Sequence, residues 1–83
     1  MKGSEFKRIR EQLELTQNEL AKVLCLSTFQ AVSNIETGFR KPGKLIAVLM
    51  WTLSELPERR AKDLMQLITS IAEREIKVGG RKS

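Results

Sequence analysis

The stretch Thr16–Gly38, TQNELAKVLCLSTFQAVSNIETG, constrains this chain more than any other, because it reads as two short helices joined by a tight turn. Thr16 can cap a helix by accepting from a free backbone N–H, and Glu19 follows three residues later, where a capping box needs Glu or Gln. The spacing predicts a helix start at Gln17, with Leu20, Ala21 and Leu24 on one face. Ser27 and Thr28 serve better as caps than as helix interior, so the helix breaks before them and a second begins at Thr28 or Phe29. On that second helix Val32, Ile35 and Glu36 are expected to point inward, and Gln30, Ser33, Asn34 and Thr37 outward. Gly38 supplies a C-terminal stop. Cys25 reads as a small buried residue at the turn between the two helices.

Helical periodicity continues on both sides of this stretch. Phe6, Ile9, Arg10 and Leu13 recur at i, i+3, i+4 and i+7, which predicts a helix over about residues 5–14, N-capped by Ser4 with Glu5 in the first turn. Gly3-Ser4-Glu5-Phe6 is also what two common restriction sites encode, so the segment reads either as a cloning remnant or as a native helix start. An Arg inside an apolar stripe demands an acidic partner, and Glu36 on the inner face of the third helix is the candidate.

Beyond Gly38, Pro42-Gly43 is the strongest breaker in the chain. A fourth helix is expected over about 43–54, with Leu45, Val48, Leu49 and Thr52 in one stripe and Ile46, Met50 and Leu53 in a second. A helix apolar nearly all round is buried on more than one side. Pro57 bars Leu56 from helical geometry and opens a fifth helix over about 57–76. Its apolar positions are Ala61, Leu64, Met65, Ile68, Ile71 and Ala72, and Arg59, Arg60, Lys62, Asp63, Glu73 and Glu75 fill the opposite face. Gly79 to Ser83 reads as a frayed basic tail.

The expectation is therefore an all-α, five-helix fold in one domain spanning 1–83. A chain of 83 residues buries only a small core, and the last two helices carry more apolar surface than that core can cover. They are expected to form a homodimer, over about residues 43–76, through Ile46, Met50, Leu53, Leu64, Ile68 and Ile71. The alternative is a monomer in which the fifth helix folds back fully.

Composition removes most chemistries. There is no His and a single Cys, so zinc-finger, zinc-hydrolase and His-dependent triad readings lack ligands or bases, and no enzyme activity, metal or cofactor is expected. Gly79-Gly80 does not lie between a strand and a helix, so no phosphate-binding loop is read there. The longest apolar run, Leu45 to Trp51, is far short of a membrane span, and with one Cys and no signal peptide a reducing cytoplasm is expected. The net charge of +5 suits a polyanionic partner, and Arg40, Lys41 and Lys44 cluster in a stretch with no acid between Glu36 and Glu55.

Arg10 in the first apolar stripe, Leu15-Thr16-Gln17 opening the next helix, Glu19-Leu20-Ala21, and Ile35-Glu36-Thr37-Gly38 closing the third give the chain its resemblance to a known family. In this order it resembles the Cro and phage-repressor helix-turn-helix family, usually called Xre, over about residues 5–54. Two departures stand out: family members usually carry Gly where this chain has Cys25, and Ser27 to Glu36 is one residue longer than the common pattern.

The resemblance implies a lambda-repressor-like domain, with the helix-turn-helix at about 16–38, that binds double-stranded DNA. Within it Arg10 and Glu36 would form a buried ion pair, and Gln17 would contact backbone phosphate while bracing the recognition helix. Gln30 is the first candidate for a base contact, since a Gln amide can pair with adenine N6 and N7, and Asn34 lies one turn along. Ser33, Thr28 and Thr37 can reach bases or flanking phosphates. Phe29 fits either the core or a thymine methyl. Arg40, Lys41 and Lys44 would lie along the phosphates.

The implied function is a small dimeric repressor that binds an inverted repeat and autoregulates its operon. Size, the altered turn and the apolar helix after a Pro also resemble anti-CRISPR-associated autorepressors of phages and mobile elements. Two other classes stay open: an antitoxin that binds its own promoter and neutralises a toxin through the fifth helix or the basic tail, and an adaptor using the motif for protein contacts alone.

Overall fold

The computed structural model describes residues 1–82, and side chains for residues 1–75. The described residues form five helices: α1 (Gly3–Gln12), α2 (Gln17–Val23), α3 (Phe29–Glu36), α4 (Lys44–Glu55) and α5 (Glu58–Lys82). The fold is all-α, with α2 and α3 as the helix-turn-helix. α3 packs on α1 and α2, while α4 lies against α1 and α5 against α2.

α1 begins earlier than the sequence predicts, with Lys2 rather than Ser4 as N-cap. Glu5 causes the shift, because its Oε1 accepts the Lys2 backbone N–H at 2.8 Å and satisfies a donor at the helix start. The first turn also needs Gly3. A Cβ there would stand 2.5 Å from the Ile35 carbonyl oxygen and 2.6 Å from that of Glu36, so a side chain would push α1 off the end of α3. Phe6 and Ile9 are fully buried, and the opening segment is thus part of the core.

α1 and α2 end in the same way. Past the Leu13 cap, Glu14 takes φ 59°. Its N–H donates to Glu11 O at 3.0 Å, and the Leu15 N–H donates to Arg10 O at 3.2 Å. Past the Leu24 cap, Cys25 takes φ 58°, with Cys25 N–H on Lys22 O at 3.3 Å and Leu26 N–H on Ala21 O at 2.8 Å. These are Schellman closures, in which a left-handed residue lets the chain reverse and satisfies the last carbonyls. Cys25 is exposed, which corrects the expectation of a buried thiol: its position is set by backbone conformation and not by packing. Gly38, at φ 84°, does the same work after α3.

The start of α2 is the predicted capping box. Thr16 Oγ1 accepts the Glu19 N–H at 3.1 Å, and Glu19 Oε1 accepts the Thr16 N–H at 2.8 Å. That backbone donor, with the Thr16 hydroxyl and Lys22 acting in the same direction, holds the Glu19 carboxyl below its ordinary pKa.

Phe6, Ile9, Leu20, Ala21, Leu24, Val32, Ile35 and Met50 make the main core, and Val23, Leu53, Ala61 and Met65 a second cluster under α5. Here α4 departs from expectation. Met50 and Leu53 are fully buried within the chain itself, and Ile46 and Leu49 pack beside them. The expected intersubunit role of Met50 and Leu53 is therefore withdrawn, because α1, α3 and the start of α5 already cover that stripe. It is Leu45, Val48 and Trp51 that are left outside. On α5, Leu64 packs half-buried against the second cluster, Ile68 is half-buried and Ile71 exposed.

α5 also outruns its predicted end, continuing through Gly79 and Gly80 to Lys82. Each Gly costs only about 1 kcal/mol once a helix has nucleated. The tail expected from Gly79 is therefore helical to Lys82, and Ser83 lies outside the described residues.

Candidate nucleic-acid interface

The site is built on the outward face of α3, and its anchoring begins underneath. Val32 and Ile35 are buried and hold α3 to the core. Glu36 adds a polar clamp. Arg10 Nε donates to Glu36 Oε2, Arg10 Nη1 reaches the Leu15 carbonyl at 2.8 Å, and Gln17 Nε2 donates to Glu36 Oε1 at 3.0 Å. One carboxylate at the end of α3 thereby ties together α1, the start of α2 and the loop between them. The Arg10 and Glu36 side chains are only 13% and 5% exposed, so the pair acts where screening by water is weak. Gln17 has the bracing position that the resemblance implied.

Outward from this clamp, Thr28, Phe29, Gln30 and Thr37 are exposed, while Ser33 and Asn34 are half-buried on the same side. Thr28 is the extended N-cap residue of α3. Gln30 Nε2 donates to Asn34 Oδ1 at 3.1 Å, joining the two amides one helical turn apart. Gln30 keeps its carbonyl oxygen as an acceptor and Asn34 its NH2 as a donor, the combination an adenine edge can use. Phe29 is exposed, so of its two readings the core one fails.

Two flanks complete the surface. On one side a concavity of about 420 Å³ runs between α3 and the following loop, with Gln30 and Asn34 on one wall and Arg40 and Lys41 on the other. The loop is held there by the Arg40 backbone N–H, which donates to Asn34 O at 3.0 Å. Lys44 is exposed in the first turn of α4. On the other side, Phe29 lies beside Thr16, Gln17 and Asn18 at the start of α2. Asn18, which the sequence reading did not single out, lines this flank from the first turn of α2. Among the described residues no cluster of metal-ligating side chains occurs, and no helix is long and apolar enough to cross a membrane.

A family model for helix-turn-helix proteins of the Xre and Cro type matches residues 6–50, more than half of the chain. The chain belongs to that helix-turn-helix family. It is a family of DNA-binding transcription regulators, not of enzymes, and the matched span runs from the buried Phe6 to the buried Met50. The family motif therefore coincides with the main core and with the clamp on Glu36, while α5 lies beyond it. No curated protein and no solved structure matches the chain significantly.

Proposed function

We propose that the chain is a transcriptional repressor that binds a short inverted repeat as a homodimer and limits transcription of its own operon. The observation that carries this reading is the exposed, hydrogen-bonded Gln30–Asn34 pair set opposite Arg40 and Lys41 across one groove. Base-reading amides beside phosphate-binding cations are what sequence-specific recognition in a major groove requires.

In this reading Gln30 and Asn34 contact bases and Phe29 packs on a thymine methyl. Thr28, Ser33 and Thr37 reach bases or nearby phosphates. Gln17 and Asn18 present the start of α2 to one strand, while Arg40, Lys41 and Lys44 line the other flank. Two-fold symmetry sets two recognition helices about 34 Å apart in successive major grooves. Apolar side chains that one chain leaves uncovered, among them Leu45, Val48, Leu67 and Ile71, support the dimer. Bound over a promoter, such a dimer represses by occluding polymerase.

A reporter fused to the DNA upstream of the gene tests the reading. Supplying the protein in trans lowers reporter output, and Gln30→Ala restores it at equal protein level. Output unchanged by the wild-type protein contradicts autorepression.

A further inference from the structure

The outer face of α4 carries three large apolar side chains in a row along one side: Leu45 is 72% exposed, Val48 52% and Trp51 37%. Their spacing of i, i+3 and i+6 keeps them on one stripe, and Thr52, next after Trp51, is exposed beside it. Nothing charged interrupts the stripe, but charges of opposite sign close its two ends: Lys44 in the first turn and Glu55 at the last position of the helix, both exposed.

Lys44, Val48, Trp51 and Glu55, at i, i+4, i+7 and i+11, form a row that is its own complement when reversed. Two copies of α4 packed antiparallel about a two-fold axis would bring Lys44 of each beside Glu55 of the other. The axis then passes between positions 49 and 50, and the same operation sets Val48 of each copy against Trp51 of the other. Trp is enriched at the centre of protein interfaces, where it supplies large area for little lost freedom. A parallel arrangement would instead oppose Lys44 to Lys44 and Glu55 to Glu55.

The exposed face of α5 compares poorly as a first contact. Leu67 and Ile71 are neighbours at i and i+4, but Asp63 and Arg74 flank them on the same face and no aromatic side chain joins them. We infer that the outer face of α4 is a self-association surface whose partner is a second copy of this chain, in antiparallel register with Lys44 opposite Glu55. The inference deepens the dimeric repressor reading and rests on it. It also sets the contact directly beside the loop carrying Arg40 and Lys41, with Lys44 at the rim.

Sedimentation equilibrium of the purified protein tests it, with helical circular dichroism confirming that each surface variant stays folded. The wild type is expected to dimerise, and Val48→Glu to raise the dimer dissociation constant by at least about 30-fold. Lys44→Glu and Glu55→Lys are each expected to weaken the dimer, and the two combined to restore it, because every contact again joins opposite charges. Failure of the combined variant to recover overturns the antiparallel register. A dimer that survives Val48→Glu but dissociates in Ile71→Glu overturns the α4 surface and leaves the dimeric reading standing. A wild type that is monomeric both free and on DNA overturns the two together.

Discussion

Arg10 and Glu36, 26 residues apart in the chain, meet side by side, with Gln17 donating to the same carboxylate. The guanidinium's third contact, to the Leu15 carbonyl, leaves both partners hydrogen-bonded where water barely reaches. The orientation of the recognition helix is therefore fixed at its C-terminal end by charge and along its length by Val32 and Ile35.

Removing one partner strands the other. Glu36→Ala is expected to lower unfolding free energy by about 3–5 kcal/mol, since an uncompensated Arg10 remains in a half-buried site. Urea denaturation checks this. A midpoint equal to that of the wild type would show that the pair contributes little.

Cys25 and Glu14 occupy left-handed positions that suit glycine. Cys25→Gly is expected to stabilise the protein by about 1 kcal/mol, and Glu14→Gly by a similar amount, because each removes the strain of a Cβ at positive φ. Thermal melts of the single variants read the effect, and a fall in Tm for both would contradict the Schellman geometry.

Gly3→Ala has the opposite expectation despite alanine's higher helix propensity. The added methyl meets two carbonyl oxygens at the end of α3, so a loss of about 1–3 kcal/mol is expected. Gly43, whose Cβ would meet nothing within 4 Å, is the comparison: Gly43→Ala meets no clash and should cost less, through the poorer N-cap of α4 alone.

Glu19 makes one part of the stability pH-dependent. Its folded pKa is depressed, chiefly by the Thr16 backbone N–H, so its contribution is present above the ordinary carboxylate pKa and is lost as pH falls through the lowered folded value. The Tm difference between wild type and Glu19→Gln should therefore be larger at pH 7 than in acid. A difference independent of pH would show that the ionised carboxylate is not what caps α2.

Much of this fold is legible in the residues themselves. Thr16 and Glu19 mark the start of α2 because a capping box is local chemistry, and Phe6, Ile9 and Arg10 mark one face of α1 because helical spacing is local too. The Arg10–Glu36 pair follows from the need to neutralise a charge in an apolar stripe. What sequence misassigns depends on neighbours. α4 is apolar on both sides, and only tertiary packing decides that Met50 faces the main core and Leu53 the cluster with Val23, Ala61 and Met65, while Leu45 and Val48 face out. Cys25 reads as core because cysteine usually is, but the turn needs its backbone and not its side chain. On the interface, Gln30 and Asn34 are legible as amides one turn apart. The groove they share with Arg40 is not, since it needs the loop after α3 in place.

Whether α3 reads DNA sequence is decided by fluorescence anisotropy. Labelled DNA from upstream of the gene is titrated with wild type and Gln30→Ala at two salt concentrations, against scrambled DNA of equal length. The expected result is a preference on the order of 10³-fold for the upstream DNA, largely lost in Gln30→Ala while the salt dependence set by Arg40 and Lys41 persists. Equal affinity of the wild type for both DNAs, or a preference that Gln30→Ala leaves intact, would contradict a sequence-reading role for this helix.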